Sequence, residues 1–126
     1  MSSSKLVSVY LCVNNMKRAV AFWEGFLKRK AENRYKDRWA DFGVKKGSVN
    51  IGLYRSGFDK WKHKIGNNIT LNFYTSDIKA EYKRVKSLKP KRISKIGFVN
   101  FMEPYHYFQA QDPEGNLFEV AQFKIK

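Results

Sequence analysis

The chain reads as an α+β protein: two βαβββ modules in one chain that form a curled sheet with a central cleft. Three observations predict this. Residues 7–13 and 69–75 each alternate apolar and polar side chains, at an offset of 62 residues in a chain of 126. Each of these strands runs into a helix N-cap candidate at the same offset, Asn15 and Asp77. Each half then carries three further short stretches with strand patterning, so the plan of strand, helix and three strands occurs twice.

Element by element, the first strand puts Val7, Val9, Leu11 and Val13 on one face and Ser8, Tyr10 and Cys12 on the other. Met16, Ala19, Val20, Trp23 and Leu27 recur at helical spacing after Asn15. Strands are expected at 31–36, 39–44 and 48–54. A linker over 56–66 contains the basic run Lys60-Trp61-Lys62-His63-Lys64. In the second half, Ile69, Leu71, Phe73 and Thr75 oppose Thr70, Asn72 and Tyr74, and a helix follows with Ile78, Tyr82, Val85 and Leu88 on one side. Strands are expected at 92–97, 105–111 and 116–123. The modules thus run from about 5 to 55 and from about 67 to 124, within one domain spanning 1–126.

The last strand is entered through Asp112-Pro113-Glu114-Gly115-Asn116. Proline presets φ at the second turn position, glycine tolerates positive φ at the fourth, and the Asp112 carboxylate can bond back to the turn's amides. Beyond the turn, Leu117, Glu119, Ala121 and Phe123 share one face. Burying the Glu119 carboxylate there is costly unless a metal, a cation, a donor or water receives it. Glu119 is therefore a site residue or stands in a wet cleft.

Composition narrows the function classes. Twenty-five Lys and Arg against eleven Asp and Glu give a net charge of +14, which attracts anionic partners. The basic residues are spread along the chain and no motif of the common nucleic-acid-binding modules occurs, so the expectation is weak, non-specific nucleic-acid binding confined to low salt. No segment has the apolar length of a membrane span, which predicts no membrane association. The start of the chain lacks a signal-peptide pattern, and Cys12 is the only cysteine, which suits a reducing cytoplasm.

Each sheet has one face covered by its own helix, so the other face must be covered or enclose something. By strand parity that face receives Ser8, Tyr10 and Cys12, then Asn50, Gly52 and Tyr54, then Thr70, Asn72, Tyr74, Glu119 and Phe123. The lining is polar and aromatic, where a plain core would be aliphatic, and it suits an organic ligand with a few hydrogen-bonding groups. His106 is a further ligand-binding candidate if its strand turns it towards this face; a register change of one residue would reverse it. Cys12 fits a small buried hydrophobe better than a nucleophile, since no base accompanies it. Trp61 is a candidate anchor in the basic loop.

The segments Val13 to Trp23, Thr75-Ser76-Asp77-Ile78 and Asp112 to Val120, at this spacing, resemble the vicinal oxygen chelate superfamily of glyoxalases, extradiol dioxygenases and bleomycin-resistance-type proteins, over essentially the whole chain. The resemblance implies paired βαβββ modules, a homodimer, and in metal-dependent members one metal ligand from each of four strands. Carried over by position, those ligands fall on Ser8, Asn50, Thr70 and Glu119. Only Glu119 matches a competent ligand; hydroxyls and an amide do not replace imidazole or carboxylate for a transition metal. The reading is therefore a cytoplasmic small-molecule-binding protein with no metal and no cofactor. Its ligand is a neutral or anionic aromatic molecule, because +14 repels the cationic drugs that resistance-type members sequester. The alternatives are a metal-dependent lyase, isomerase or dioxygenase of the same superfamily, and a basic module associated with nucleic acid.

Overall fold

A computed structural model of the chain describes residues 6, 8–43, 49–58, 63–66, 69–100 and 104–123. The chain divides into two compact units, 1–65 and 66–126. The expected strand residues Val7, Val44 and Ser48, and Trp61 in the linker, lie outside the described residues.

In the first unit, β1 (Ser8–Val13) leads to α1 (Met16–Leu27), β2 (Asn33–Tyr35), β3 (Trp39–Phe42) and β4 (Asn50–Arg55). The sheet order is β1-β4-β3-β2, with β1 parallel to β4 and the other pairs antiparallel. Asn15 caps α1 through its Oδ1, which accepts from the Arg18 amide at 3.0 Å, satisfying an otherwise orphaned donor. The helix closes at Lys28 in the left-handed region, φ 56°. Its buried stripe is Met16, Ala19, Val20, Phe22, Trp23 and Phe26. Sequence periodicity finds the first three and Trp23; Leu27 is only half-buried, and Phe22 and Phe26 widen the stripe. The helix packs on β3 and β4, whose alternate residues Ala40, Phe42, Ile51 and Leu53 are buried with it.

The second unit repeats the plan with one change. It holds β5 (Leu71–Tyr74), α2 (Ile78–Ser87), β6 (Arg92–Ile93), β7 (Gly97–Val99), β8 (Tyr105–Gln111) and β9 (Leu117–Phe123). The order is β5-β9-β8-β6, with β7 also paired to β8 and β5 parallel to β9. The single strand expected over 92–97 is thus two. Between them, Ser94 takes the place of a ladder residue: its Oγ accepts from the Gln109 amide at 2.9 Å and its own amide donates to the Gln109 carbonyl at 2.8 Å. Asp77 caps α2 by accepting from the Ala80 amide at 3.1 Å. The helix packs on β8 and β9, with Tyr82 edge-on to Phe108 at 5.2 Å and Ile78 and Val85 buried.

The turn before β9 behaves as its residues dictate. Asp112 is fully buried; its Oδ1 accepts from the Glu114 and Asn116 amides at 2.9 and 2.8 Å, and its Oδ2 from the Asn116 side chain at 3.1 Å. Gly115 has φ 102°, a conformation that a Cβ would strain. The turn sets the β8–β9 register, which runs without a bulge from Gln111 opposite Leu117 to Tyr105 opposite Phe123.

Candidate functional site

Strand alternation and register place side chains on the sheet face that each helix leaves uncovered, and each unit builds a distinct surface there. In the first unit the face carries Ser8 opposite Asn50, Tyr10 opposite Gly52, and Cys12 opposite Tyr54. Strand β3 adds Asp41 beside Gly52 and Trp39 beside Tyr54. The rings form a chain of edge contacts: Tyr10 to Trp39 at 5.4 Å, Tyr10 to Tyr54 at 5.7 Å, and Tyr54 to His63 at 5.4 Å. Tyr10 is 47% exposed, so its ring is available to a ligand. Gly52 makes the cluster possible, because a Cβ there would stand 2.6 Å from Trp39 Cη2 and 3.0 Å from Tyr10 Cβ. Asp41 orients the indole: Oδ2 accepts from Trp39 Nε1 at 2.9 Å and Oδ1 from Asn33 Nδ2 at 3.0 Å. Both carboxylate oxygens thus have donors, and the carboxylate acts as a positioning group for the aromatic surface.

In the second unit the corresponding face carries Asn72 beside Glu119 and Tyr74 beside Ala121, with Gln109 across from Glu119 and Tyr105 across from Phe123. Glu119 is half-buried, and its Oε1 accepts from Gln109 Nε2 at 3.1 Å. Asn72 and Tyr74 are exposed, and Phe123 packs its ring on Tyr105 at 5.0 Å. Thr70 is exposed and precedes β5 instead of lying in it. A shallow groove of about 300 Å³ adjoins Gln109, bordered by Arg92, Ser94, Gln111 and Leu117.

His106 does not join this surface. The register puts it opposite Gln122, so it shares the face of Gln122 and Val120, the side on which α2 packs. Strand alternation alone leaves its facing open; the uninterrupted β8–β9 ladder decides it. Trp39 and Asp41 join the surface of the first unit, and Gln109 that of the second, without having been expected there. The alternation Trp39-Ala40-Asp41-Phe42 carries the signal for the first two. Gln109 follows from counting outward from the Asp112–Asn116 turn to Glu119.

The positions onto which the resemblance carries metal ligands do not offer a transition-metal donor set in either unit. They carry the Ser8 hydroxyl, the Asn50 amide, the Thr70 hydroxyl and Glu119, whose Oε1 already accepts from Gln109. Among the described residues no group of three His, Cys, Asp or Glu could hold an ion. Among them too, no helix is long and apolar enough to cross a membrane.

Neither a protein-family model nor a curated protein sequence matches the chain. Solved structures do. A lactoylglutathione lyase from Agrobacterium tumefaciens is 16% identical with a TM-score of 0.70, covering 96% of this chain and 95% of its own. A glyoxalase/bleomycin resistance protein from Albidiferax ferrireducens is 14% identical with a TM-score of 0.72, covering 94% and 99%. An integron cassette protein from the mobile metagenome of V. cholerae is 24% identical with a TM-score of 0.67, covering 98% of each. The chain has the fold of these glyoxalase and glyoxalase/bleomycin resistance protein/dioxygenase structures.

Proposed function

We propose that the protein is a cytoplasmic small-molecule-binding protein that takes a neutral or anionic aromatic ligand without a catalytic metal. The uncovered sheet face of the first unit, which bears Tyr10, and that of the second, which bears Glu119, are each taken by itself as a ligand-contacting surface. The observation that carries this reading is the exposed Tyr10 ring, backed by half-buried Trp39 and buried Tyr54, packed against Gly52 and with the indole oriented by Asp41. Aromatic surfaces of this kind stack planar molecules. Glu119 is suited to accept from a ligand hydroxyl or N–H, and Arg92, beside the groove at Gln109, to meet an anionic substituent. The net charge of +14 favours neutral and anionic ligands over cations.

The test is an NMR titration with small phenols and phenolic acids. Saturable shifts at the Trp39 indole N–H or the Gln109 side-chain amide, weakened by Tyr10→Ala or Glu119→Gln, are expected. If no probe perturbs either face, the reading fails. Elemental analysis of protein purified without chelator is expected to find no stoichiometric zinc, nickel, iron or manganese. Stoichiometric metal that disappears on Glu119→Ala would favour the lyase, isomerase or dioxygenase alternative. The homodimer belongs to the same proposal, supported by exposed Tyr35, Phe58 and Ile69; a monomer mass by light scattering across a dilution series would remove it.

A further inference from the structure

The second unit has a larger groove, of about 750 Å³, whose borders include Lys79, Ile96, Phe98, Pro104, His106 and Gln122. It exists because the sheet outruns its helix. Tyr82 covers Phe108, but α2 begins only at Ile78, whose amide donates to Gln122 Oε1 at 2.8 Å. Beyond that point the same sheet face continues through His106 and Gln122, and β7 adds Phe98 opposite His106. Phe98 is 56% exposed, with its ring 4.8 Å from that of His106 and tilted 49° to it. A large apolar ring held open on an edge strand beside a groove of ligand size calls for an occupant.

The polar groups around the groove define that occupant. The Ile78 N–H can only donate, so Gln122 must present its carbonyl oxygen there; its –NH2 is left with two N–H donors. None of the described residues accepts from that –NH2. Lys79 is exposed at the rim and supplies a cation. The Asp77 carboxylate also borders the groove, turned to the helix N-terminus, where its Oδ1 accepts from the Ala80 amide at 3.1 Å. The inventory beside the two ring faces is thus the Gln122 donors, the Lys79 cation and one helix-capping carboxylate.

We propose that this groove binds a planar aromatic carboxylate. Its ring lies against Phe98 and His106, and its carboxylate accepts from Gln122 Nε2 and Lys79 Nζ. Phe98, His106 and Gln122 lie on the side of the sheet opposite Glu119, while Tyr105 and Phe123 at the sheet's end also border the groove; Gln109, beside Glu119, does not, and so reports separately on the function proposed above.

The experiment is an NMR titration of the full chain with 2-naphthoate and with its neutral counterpart 2-naphthamide. The expected result is saturable shifts of the Gln122 side-chain –NH2 and the His106 ring, with Kd of about 1 mM or tighter. The Gln109 side-chain –NH2, on the opposite face, stays unmoved. Loss of a charge-assisted hydrogen bond corresponds to about tenfold, so 2-naphthamide, and 2-naphthoate on Lys79→Ala protein, should each bind about tenfold more weakly. Phe98→Ala should weaken binding because it removes one of the two ring faces; Lys79 and Phe98 are exposed, so both variants are expected to fold. Equal affinity for acid and amide would overturn the proposal. So would unchanged affinity in both variants, or shifts that spare Gln122 and His106.

Discussion

The Gln109 side chain donates to Glu119 across the β8–β9 ladder at 3.1 Å, tying the acidic residue to the neighbouring strand on the uncovered sheet face. Glutamine at position 119 keeps an acceptor for Gln109 and removes only the charge of a half-buried group. Glu119→Gln should therefore change stability by less than about 1 kcal/mol while altering ligand binding. Thermal denaturation checks this. A loss of roughly 3 kcal/mol or more would mean that Glu119 neutralises a buried cation and belongs to the scaffold.

Gly52 and Trp39 make the second test. A Cβ at position 52 would come 2.6 and 2.8 Å from Cη2 and Cζ2 of the indole, whose Nε1–H is held by Asp41. Gly52→Ala should cost about 1–3 kcal/mol, or displace the indole and change its fluorescence. Urea unfolding and Trp39 emission read the two outcomes, and a variant unchanged in both would dissolve the ring cluster as a defined surface.

Sequence periodicity reaches the fold because each local signal agrees with the packing that follows: Asn15 and Asp77 cap, the strands alternate, and the Asp112 turn folds on its own carboxylate. The misses have physical causes. Ser94 substitutes its hydroxyl for a ladder partner, which splits one expected strand into β6 and β7, and nothing in an Arg92-to-Gly97 segment announces that. His106 has no assignable face until the Gln111–Leu117 pairing fixes the parity of the whole hairpin. Tyr10 and Glu119 are legible by alternation within one strand. Their neighbours Trp39 and Gln109 depend on cross-strand register, a property of two strands together.

Asp112 carries more of the fold than its place in a loop suggests. Its buried carboxylate accepts three hydrogen bonds from Glu114 and Asn116. Asp112→Ala strands those donors and should cost roughly 3 kcal/mol or more, measured by urea denaturation. Asp112→Asn, which retains a carbonyl acceptor, should cost less; equal losses would show that shape rather than hydrogen bonding holds the turn.

On α2, Arg84 holds Glu81 through two hydrogen bonds of 2.7 Å each. Hydrogen bonding to Glu81 raises the Arg84 pKa above its ordinary value, against the opposing effect of partial burial. A raised cation pKa gives stability that is fully present below the unfolded-state value and lost only as pH rises through the folded one. For arginine both lie above any working pH, so this group adds no slope between about pH 6 and about pH 9. Arg84→Lys keeps the charge but not the fork, and should cost about 1 kcal/mol for this half-buried pair within one helix. Denaturant unfolding of both proteins across that pH range should give parallel profiles; a difference that changes with pH would assign the effect to another group.

The same helix turns a basic stripe to solvent. Lys79, Lys83 and Lys86 recur at helical spacing and are all exposed, and exposed Lys89, Lys91 and Arg92 follow. The acidic residue in the first turn of α2, Glu81, is engaged by Arg84, so it does not neutralise the stripe. Duplex DNA should therefore bind at low salt through counterion release, with log affinity falling linearly in log salt and binding vanishing near about 0.15 M. Replacing Lys79, Lys83 and Lys86 together by glutamate should weaken low-salt binding and flatten the slope by about 0.9 for each phosphate no longer neutralised. Fluorescence anisotropy with unrelated duplexes measures both quantities. Sequence-dependent binding that survives about 0.15 M salt would require base readout, and would make nucleic acid, not an aromatic small molecule, the partner for which this surface is built.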